Sequence, residues 1–252
     1  MAHGLADIAA IDWAAPWLAP YRALGEPMAQ AIERGSLCAS ALNAARAEAS
    51  PRFVSQSDLA EGKPYEQFIF ETRSVPTRES LHDFFNGLVW LHFPKTKLAL
   101  NRLQAEQIQR SGVGAVRGVV RDAVTVFDEN AALLRAPDAL WEALAGRDWA
   151  RLFGELRPLW RESQLVLFGH ALMEKLVTPR KAITAHVLRI HPPSDSLPDI
   201  DAWLAGHLNV ELLTRKPYLP LPVLGVPGWW PANGEKGFYA DKAVFRPLQT
   251  PG

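Results

Sequence analysis

A histidine and a glutamate, His170 and Glu174, interrupt the apolar stretch SQLVLFGHALMEKLVTP, residues 163–179. If this stretch is one helix, residues four apart share a face, because each residue turns the helix by about 100°. Apolar residues cover most of the remaining surface, which is typical of a buried helix. The pattern predicts a helix in which His170 is a general base oriented by Glu174. A satisfied ion pair in the core, or a thin solvent-facing stripe, would give the same pattern.

A second group of polar side chains follows Ser80, which is predicted to cap a helix that ends near Pro94. On that helix one arc combines a histidine, two further polar residues and an aromatic ring, as in the lining of a cleft: His82, Asp83, Asn86 and Trp90. A solvated face near a helix start would look alike. We predict that His82 and Asp83 form a second acid–base pair, with metal ligation as the alternative role. Asn86 and Trp90 are predicted to contact substrate. We expect His82 and His170 to meet around a shared cavity.

Basic residues follow the first stretch in TPRKAITAHVL. Beside a His/Glu site they would suit an anionic substrate such as a phosphate or a carboxylate, and three are predicted to bind it: Arg180, Lys181 and His186. Solvated charges at the end of a helix are the alternative interpretation.

The acidic run in FDENAALL, residues 127–134, is interpreted as a tight turn that follows a strand and precedes a second strand or a short helix, because Asp and Asn tolerate the left-handed turn geometry. Oxygen ligands for a divalent cation are the alternative, but the full calcium-loop spacing is absent. Arg121 and Asp122, just upstream, could also face a cleft.

Composition restricts the class of protein. The 252 residues carry 27 Lys plus Arg and 27 Asp plus Glu, and this formal net charge of zero argues against a protein that binds bulk nucleic acid. Cys38 is the single cysteine, which fits a reducing cytoplasm. We expect no signal peptide and no membrane span, since no apolar run approaches about 20 residues. Common nucleotide, hydrolase and structural-zinc motifs are absent, so no metal ligand is assigned and the cofactor is unknown.

The element pattern predicts a mainly α fold with a small β element (α+β), forming one compact domain over residues 1–252. RFVSQSDL and YEQFIFETRSV are interpreted as short strands. The tail from Lys216 onward is rich in Pro, Gly and aromatic residues, and we expect it to be ordered and packed on the body. Its Trp229 and Trp230 are expected to anchor it, with stacking of a sugar or a base as the alternative.

Four segments together resemble a bacterial family, domain of unknown function 3025: HDFFNGLVWLHFPKTKLALN, RDAVTVFDENAALL, LFGHALMEKLVTPRKAITAH and LPVLGVPGWWPAN. The resemblance runs from about residue 65 to 247 and implies one intact domain, but no chemistry. From the residues we predict a cytoplasmic hydrolase or group transferase that acts on a small anionic substrate. A non-catalytic interaction or scaffold protein that uses its Trp/Pro-rich tail is the alternative function.

Overall fold

The computed structural model describes residues 5–48, 50–111 and 118–248. Helices account for most of this part of the chain. The α-helices are α1 (Arg22–Glu33), α2 (Cys38–Ala44), α3 (Tyr65–Thr72), α4 (Leu81–His92), α5 (Pro94–Ser111), α6 (Val119–Asn130), α7 (Asp138–Ala145), α8 (His170–Lys175), α9 (Leu197–His207) and α10 (Val210–Thr214). The strands are β1 (Arg52–Ser55), β2 (Ser74–Thr77), β3 (Ala131–Arg135), β4 (Gln164–Leu167), β5 (Thr184–Arg189) and β6 (Leu219–Pro222).

The strands form two small sheets beside the helices, which confirms the predicted α+β class. Strands β1 and β2 pair in parallel. The other sheet has the order β4-β3-β5-β6, in which β3 and β5 are parallel and each outer strand is antiparallel to its neighbour. Among the described residues, no helix combines the length and apolar character needed to cross a bilayer.

One continuous apolar core joins the helices to the larger sheet. At its centre the Phe168 ring lies 5.3 Å from that of Phe93 and 4.9 Å from that of Phe127, measured between centroids. These rings come from the segment after β4, the end of α4 and the last turns of α6. Aromatic pairs in this distance range add to the stabilisation gained from burial. The core therefore fixes the ends of the elements that surround the candidate site.

The stretch predicted as one buried helix, residues 163–179, is a strand followed by a short helix. Strand β4 pairs with β3, and both Phe168 and Gly169 donate backbone hydrogen bonds to the Ala131 carbonyl before α8 begins at His170. The prediction of a single helix is wrong because a short apolar run has the same composition in a buried strand and in a buried helix. Pairing with β3 decides between them.

Two further assignments are wrong, because segments predicted as strands are helices. Tyr65–Thr72, predicted as a strand, is helix α3 and ends at Arg73 in the left-handed conformation with φ 55°. The first strand predicted around FDENAALL is helix α6, so Asp128 and Asn130 occupy its last turn and form no hairpin. Valine, threonine and aromatic residues favour strands only weakly, and packing of an apolar face overrides that preference.

The C-terminal tail is ordered and packs on the body, as predicted, although it also contributes the edge strand β6. Trp229 packs against Trp17 with ring centroids 6.1 Å apart. Asn233 is buried, and its Nδ2 donates to the carbonyls of Leu224 and Val226. Such contacts hold a segment rich in Pro and Gly in one conformation.

Candidate active site

A cavity of about 480 Å³ lies among α3, α4, α5, α6 and α8. Polar and apolar side chains both line its wall. The polar lining includes Tyr65, Glu66, Arg78, His82, Asp83, Asn86, Lys97, Asn101, Gln104, Arg121, Thr125, Asp128, Glu129 and His170. Trp90 and a set of aliphatic residues complete the wall.

Helix α4 supplies one line of side chains to this wall. Ser80 caps the helix as predicted, because its side chain accepts a hydrogen bond from the Asp83 backbone N–H at 3.2 Å. His82, Asn86 and Trp90 then follow at intervals of four residues, which places them on one face. The cap thus sets where the helix begins, and the helical period carries three polar or aromatic groups into the cavity.

The β3–β4 pair brings the end of α6 to the start of α8. Asp128 lies three residues before β3, and His170 lies three residues after β4. The Ala131 carbonyl of β3 accepts hydrogen bonds from the Phe168 and Gly169 N–H groups at 3.0 and 2.8 Å. These bonds hold the end of β4 against the residue that follows α6. His170 Nδ1 consequently lies 3.8 Å from Asp128 Oδ2.

Three ionisable side chains from two helices form a continuous chain of contacts. His170 Nε2 lies 3.1 Å from His82 Nε2, and the two rings are nearly perpendicular at 80°. On the other side of the second ring, His82 Nδ1 lies 3.0 Å from Glu174 Oε2. Exposure rises from His170, at 6%, to His82, at 32%. The chain therefore joins a buried imidazole to a partly exposed imidazole and, beyond that, to a mostly buried carboxylate.

A second polar network continues on the other side of Asp128. Lys97 Nζ donates to Asp128 Oδ1 at 2.5 Å and to Asn86 Oδ1 at 2.9 Å. Asn86 Nδ2 in turn donates to the Tyr65 hydroxyl at 3.2 Å. The Lys97 ammonium also lies 5.3 Å from the centroid of the Trp90 ring, a cation–π distance. These contacts balance the charge of a buried lysine.

The protonation of His170 is dominated by its burial. Desolvation lowers its pKa from 6.5 to about 3, and the nearby charges of Lys97 and His82 act in the same direction. The Asp128 carboxylate opposes this shift but does not cancel it. His170 is accordingly a neutral imidazole at pH 7.

The carboxyl groups around the cavity differ in acidity. Burial alone would raise the pKa of Asp128, but the charge of the Lys97 ammonium and its hydrogen bond hold that pKa below its usual value. Burial raises the pKa of Glu66, and the hydrogen bond from Asn101 Nδ2, at 2.6 Å, only partly offsets this rise. Asp128 is thus the firmly ionised carboxylate beside His170.

Two residues predicted as catalytic have other partners than expected. Asp83 accepts hydrogen bonds from the Arg78 backbone N–H at 2.7 Å and from the Arg78 guanidinium at 3.0 and 3.1 Å. Its contacts therefore make it an anchor for Arg78 and the cap, and no hydrogen bond joins it to His82 among the described residues. Glu174, predicted to orient His170, hydrogen-bonds to His82.

The three residues predicted to bind an anion do not line this cavity. Arg180 is exposed, and His186 is exposed on β5 next to the Tyr218 ring. Lys181 forms an ion pair with Asp241 at 3.1 Å and lies over the Phe238 ring. Arg180 and Lys181 lie between α8 and β5, and His186 lies on β5, which pairs with β3 and β6, so closeness in sequence to His170 does not bring them to the cavity.

Several cavity residues were missed from the sequence, notably Lys97, Tyr65 and Glu66. Lys97, Asn101 and Gln104 recur at helical spacing on α5. That spacing was a usable signal for a polar face. Tyr65 and Glu66 were assigned to a strand, which hid their position at the start of α3.

No cluster of three or more His, Cys, Asp or Glu side chains within the described ranges is arranged to hold a metal ion. The two Nε2 atoms of His82 and His170 face each other at hydrogen-bond distance.

Fold and cavity together define an α+β protein with a polar cavity that contains two histidines. Residues 51–249 match the family described as Protein of unknown function (DUF3025), and the chain belongs to this family. No curated protein and no solved structure gives a significant match.

Proposed function

We propose that this protein is an enzyme that transfers a proton to or from a small anionic substrate in the cavity, during a hydrolysis or group-transfer reaction. The observation that carries the proposal is the hydrogen-bonded chain His170–His82–Glu174, in which both histidines line the cavity and the middle one, His82, is the most exposed of the three. Perturbed titratable groups in a cavity are typical of catalytic sites.

The heavy-atom distances fit a resting arrangement with both imidazoles neutral. His82 Nδ1–H donates to the Glu174 carboxylate, and His170 Nε2–H donates to His82 Nε2. His170 Nδ1 then carries a lone pair, and it has no hydrogen-bond partner among the described residues. Less than 1 Å² of this nitrogen is exposed, and Asp128 Oδ2 lies 3.8 Å from it, so the mechanism requires the Asp128 side to open before the nitrogen accepts a proton from water or substrate.

The same distances fit the arrangement after one proton is taken up. The substrate or water O–H bond breaks, an N–H bond forms at His170 Nδ1, and the Nε2 proton of His170 passes to His82. The positive charge is then on His82, which is half-exposed and paired with Glu174, whereas burial disfavours it on His170. Reversal of the two transfers protonates a leaving group.

The proposal includes a cytoplasmic location, supported by the single buried thiol Cys38. The alternative function, an interaction protein that uses its tail, is not proposed. Trp229 and Trp230 are partly buried against the core, so the tail has a packing role of its own.

The test is hydrolysis of p-nitrophenyl esters of short acids, with and without a second carboxylate, by wild-type protein and by His170→Gln, His82→Gln and Glu174→Gln. We expect His170→Gln to lower kcat/KM by about 10²–10⁴-fold, the usual contribution of a general acid–base group. His191→Gln, at an exposed histidine outside the cavity, is the matched control. Absence of turnover by the wild type, or equal turnover by folded His170→Gln, would contradict the proposal.

A further inference from the structure

A second cavity, of about 300 Å³, shares no lining residue with the candidate active site. We call it the tail cavity, because the C-terminal tail contributes to its lining. Part of that lining comes from the larger sheet, where Thr184 of β5 is in register with Pro222 of β6 and Pro220 lies two residues earlier. Alternation along the strands puts these side chains on one face and the buried Ala185 and Leu221 on the other. The tail cavity therefore lies on the face of the sheet opposite these core residues.

Two segments outside the sheet supply most of the remaining lining. Arg147 and Trp149 follow α7, and Ala243, Val244 and Arg246 belong to the tail. Trp149 Nε1 donates to the Arg246 carbonyl at 2.9 Å, and Arg246 Nε donates to the Ala243 carbonyl at 3.1 Å. Residues of the cavity wall thus hold both the backbone and the side chain of Arg246, which keeps its guanidinium at this wall.

The charge of the lining is unbalanced. Of its nine residues, two are arginines and none is acidic. Within the described ranges neither Arg147 nor Arg246 forms an ion pair, although Arg147 is half-buried and Arg246 is exposed. The carboxylate of Asp241, two residues before Ala243, is paired with Lys181 at 3.1 Å. A cavity with two guanidinium groups and no carboxylate favours an anion, which arginine binds through charge-assisted hydrogen bonds.

The backbone at Arg147 gives a separate reason to assign its side chain a function. At the end of α7 the Asp148 N–H donates to the Ala143 carbonyl at 2.9 Å. The Arg147 N–H donates to the Leu144 carbonyl at 3.1 Å, and Arg147 itself is left-handed with φ 49°. Glycine is the usual residue at this position of a helix end, because a Cβ atom disfavours positive φ. The helix end gives no reason for an arginine, whereas a side chain in the wall of a cavity does.

The rest of the lining is mostly apolar and suits a compact organic body. It consists of Trp149, Ala182, Pro220, Pro222, Ala243 and Val244, with the Thr184 hydroxyl as a neutral polar group. The volume of about 300 Å³ is at the lower limit of the usual range for small-molecule sites, about 300–1,000 Å³. A ligand of this size has about one ring beside its acidic group.

We propose that the tail cavity binds a compact organic anion, a carboxylate or a phosphate monoester. Its acidic group contacts Arg147 and Arg246, and its apolar body packs on Trp149 and the prolines of β6. The proposal does not depend on the proposed function, because it concerns a different cavity with different residues.

Binding is tested by ¹H–¹⁵N spectra of the wild-type protein during titration with benzoate and phenyl phosphate, and with benzyl alcohol as the neutral analogue. The assigned indole N–H signal of Trp149 reports the tail cavity, and that of Trp90 reports the candidate active site. We expect at least one anion to shift the Trp149 signal and to bind about tenfold or more tightly than benzyl alcohol. The anion with the higher affinity then identifies the acidic group. A shift at Trp90 alone, equal affinity for benzyl alcohol, or no shift with either anion would overturn the proposal.

Two substitutions test the arginines. Arg147→Gly removes the guanidinium and suits the left-handed backbone, so it is expected to weaken anion binding about tenfold or more while the midpoint of urea unfolding stays at or above that of wild type. Arg246→Gln removes the second charge at an exposed side chain and should have the same effect on binding. Lys216→Gly is the matched control, since Lys216 also has φ 49° and a positive charge but lies outside the cavity. Unchanged anion affinity in both arginine variants, or an equal loss of affinity in Lys216→Gly, would contradict the assignment.

Discussion

His170 and His82 are in contact through their Nε2 atoms but differ in their exposure to solvent. Burial holds His170 neutral at pH 7, with its pKa lowered to about 3. His82 is 32% exposed, and its Nδ1 lies 3.0 Å from the Glu174 carboxylate. The division of roles follows from exposure, since both side chains are imidazoles with the same intrinsic chemistry.

The lowered pKa of His170 predicts a pH dependence of stability. An unfolded histidine binds a proton below about pH 6.5, whereas folded His170 does so only near pH 3, so the free energy of unfolding decreases as pH falls between these values. The expected slope is at most about 1.4 kcal/mol per pH unit. His170→Gln removes this contribution, which urea unfolding from pH 7 to 4.5 would measure.

The other charged groups near His170 do not reverse this sign. Asp128 has a lowered pKa and stays ionised over the measured range, and the Lys97 ammonium remains paired with it. Glu66, on the same cavity, has a raised pKa and acts in the opposite direction, but equally in wild type and in His170→Gln, so the difference between the two profiles reports His170. His191→Gln, at an exposed site, should keep the wild-type slope. Parallel pH profiles for wild type and His170→Gln would contradict the assignment of the lowered pKa to this residue.

At the scale of elements, the site depends on one close junction. Gly169 joins β4 to α8 and packs directly on the backbone at the end of α6. A Cβ atom there would lie 2.4 Å from the Glu129 carbonyl oxygen and 2.6 Å from Asn130 N and Cα. These are backbone atoms, so neither side can move without displacing His170 or Asp128.

Gly169→Ala is therefore expected to lower the free energy of unfolding by about 1–3 kcal/mol, as overpacking typically does. It should also weaken the contact between His170 and His82, and with it ester hydrolysis. Gly206→Ala is the matched control, because a Cβ atom there meets nothing within 4 Å and alanine favours the helix α9 by up to about 1 kcal/mol. Denaturant unfolding measures the free energy of unfolding of both variants. Equal values for Gly169→Ala and Gly206→Ala would contradict the packing argument.

At the scale of the whole molecule, the tail belongs to the core. Phe245 is 3% exposed and lies 5.9 Å from both Trp149 and Phe153, measured between ring centroids. Tyr239 stacks on Phe153 at 4.7 Å. The tail thus closes an aromatic cluster, and its strand β6 forms the edge of the larger sheet opposite β4.

Phe245→Ala should lower the free energy of unfolding by about 3–5 kcal/mol, because it leaves a cavity among buried rings. Phe70→Ala changes the same residue type at a site that is 41% exposed and should have an effect within about 0.5 kcal/mol. Thermal unfolding measures both. If Phe245→Ala were as stable as Phe70→Ala, the tail would not be part of the cooperative core.

The sequence by itself determined the features that depend on local chemistry. The cap at Ser80, the helical period that aligns His82 with Asn86, and the need of apolar tail residues for a surface to pack on all follow from neighbouring residues. The mainly α class with a small β element follows from the same local patterns. The special character of a histidine in an apolar segment at position 170 was also visible without the fold.

Only the tertiary structure decided which groups meet. Pairing of β4 with β3 turned a run that could be helix or strand into a strand, and so set His170 at the start of α8. The same pairing placed Asp128 beside it, joined Glu174 to His82, and carried Arg180 and His186 away from the cavity. These contacts join residues 42 to 92 positions apart, and local sequence contains no energy term that ranks such pairings before the chain packs.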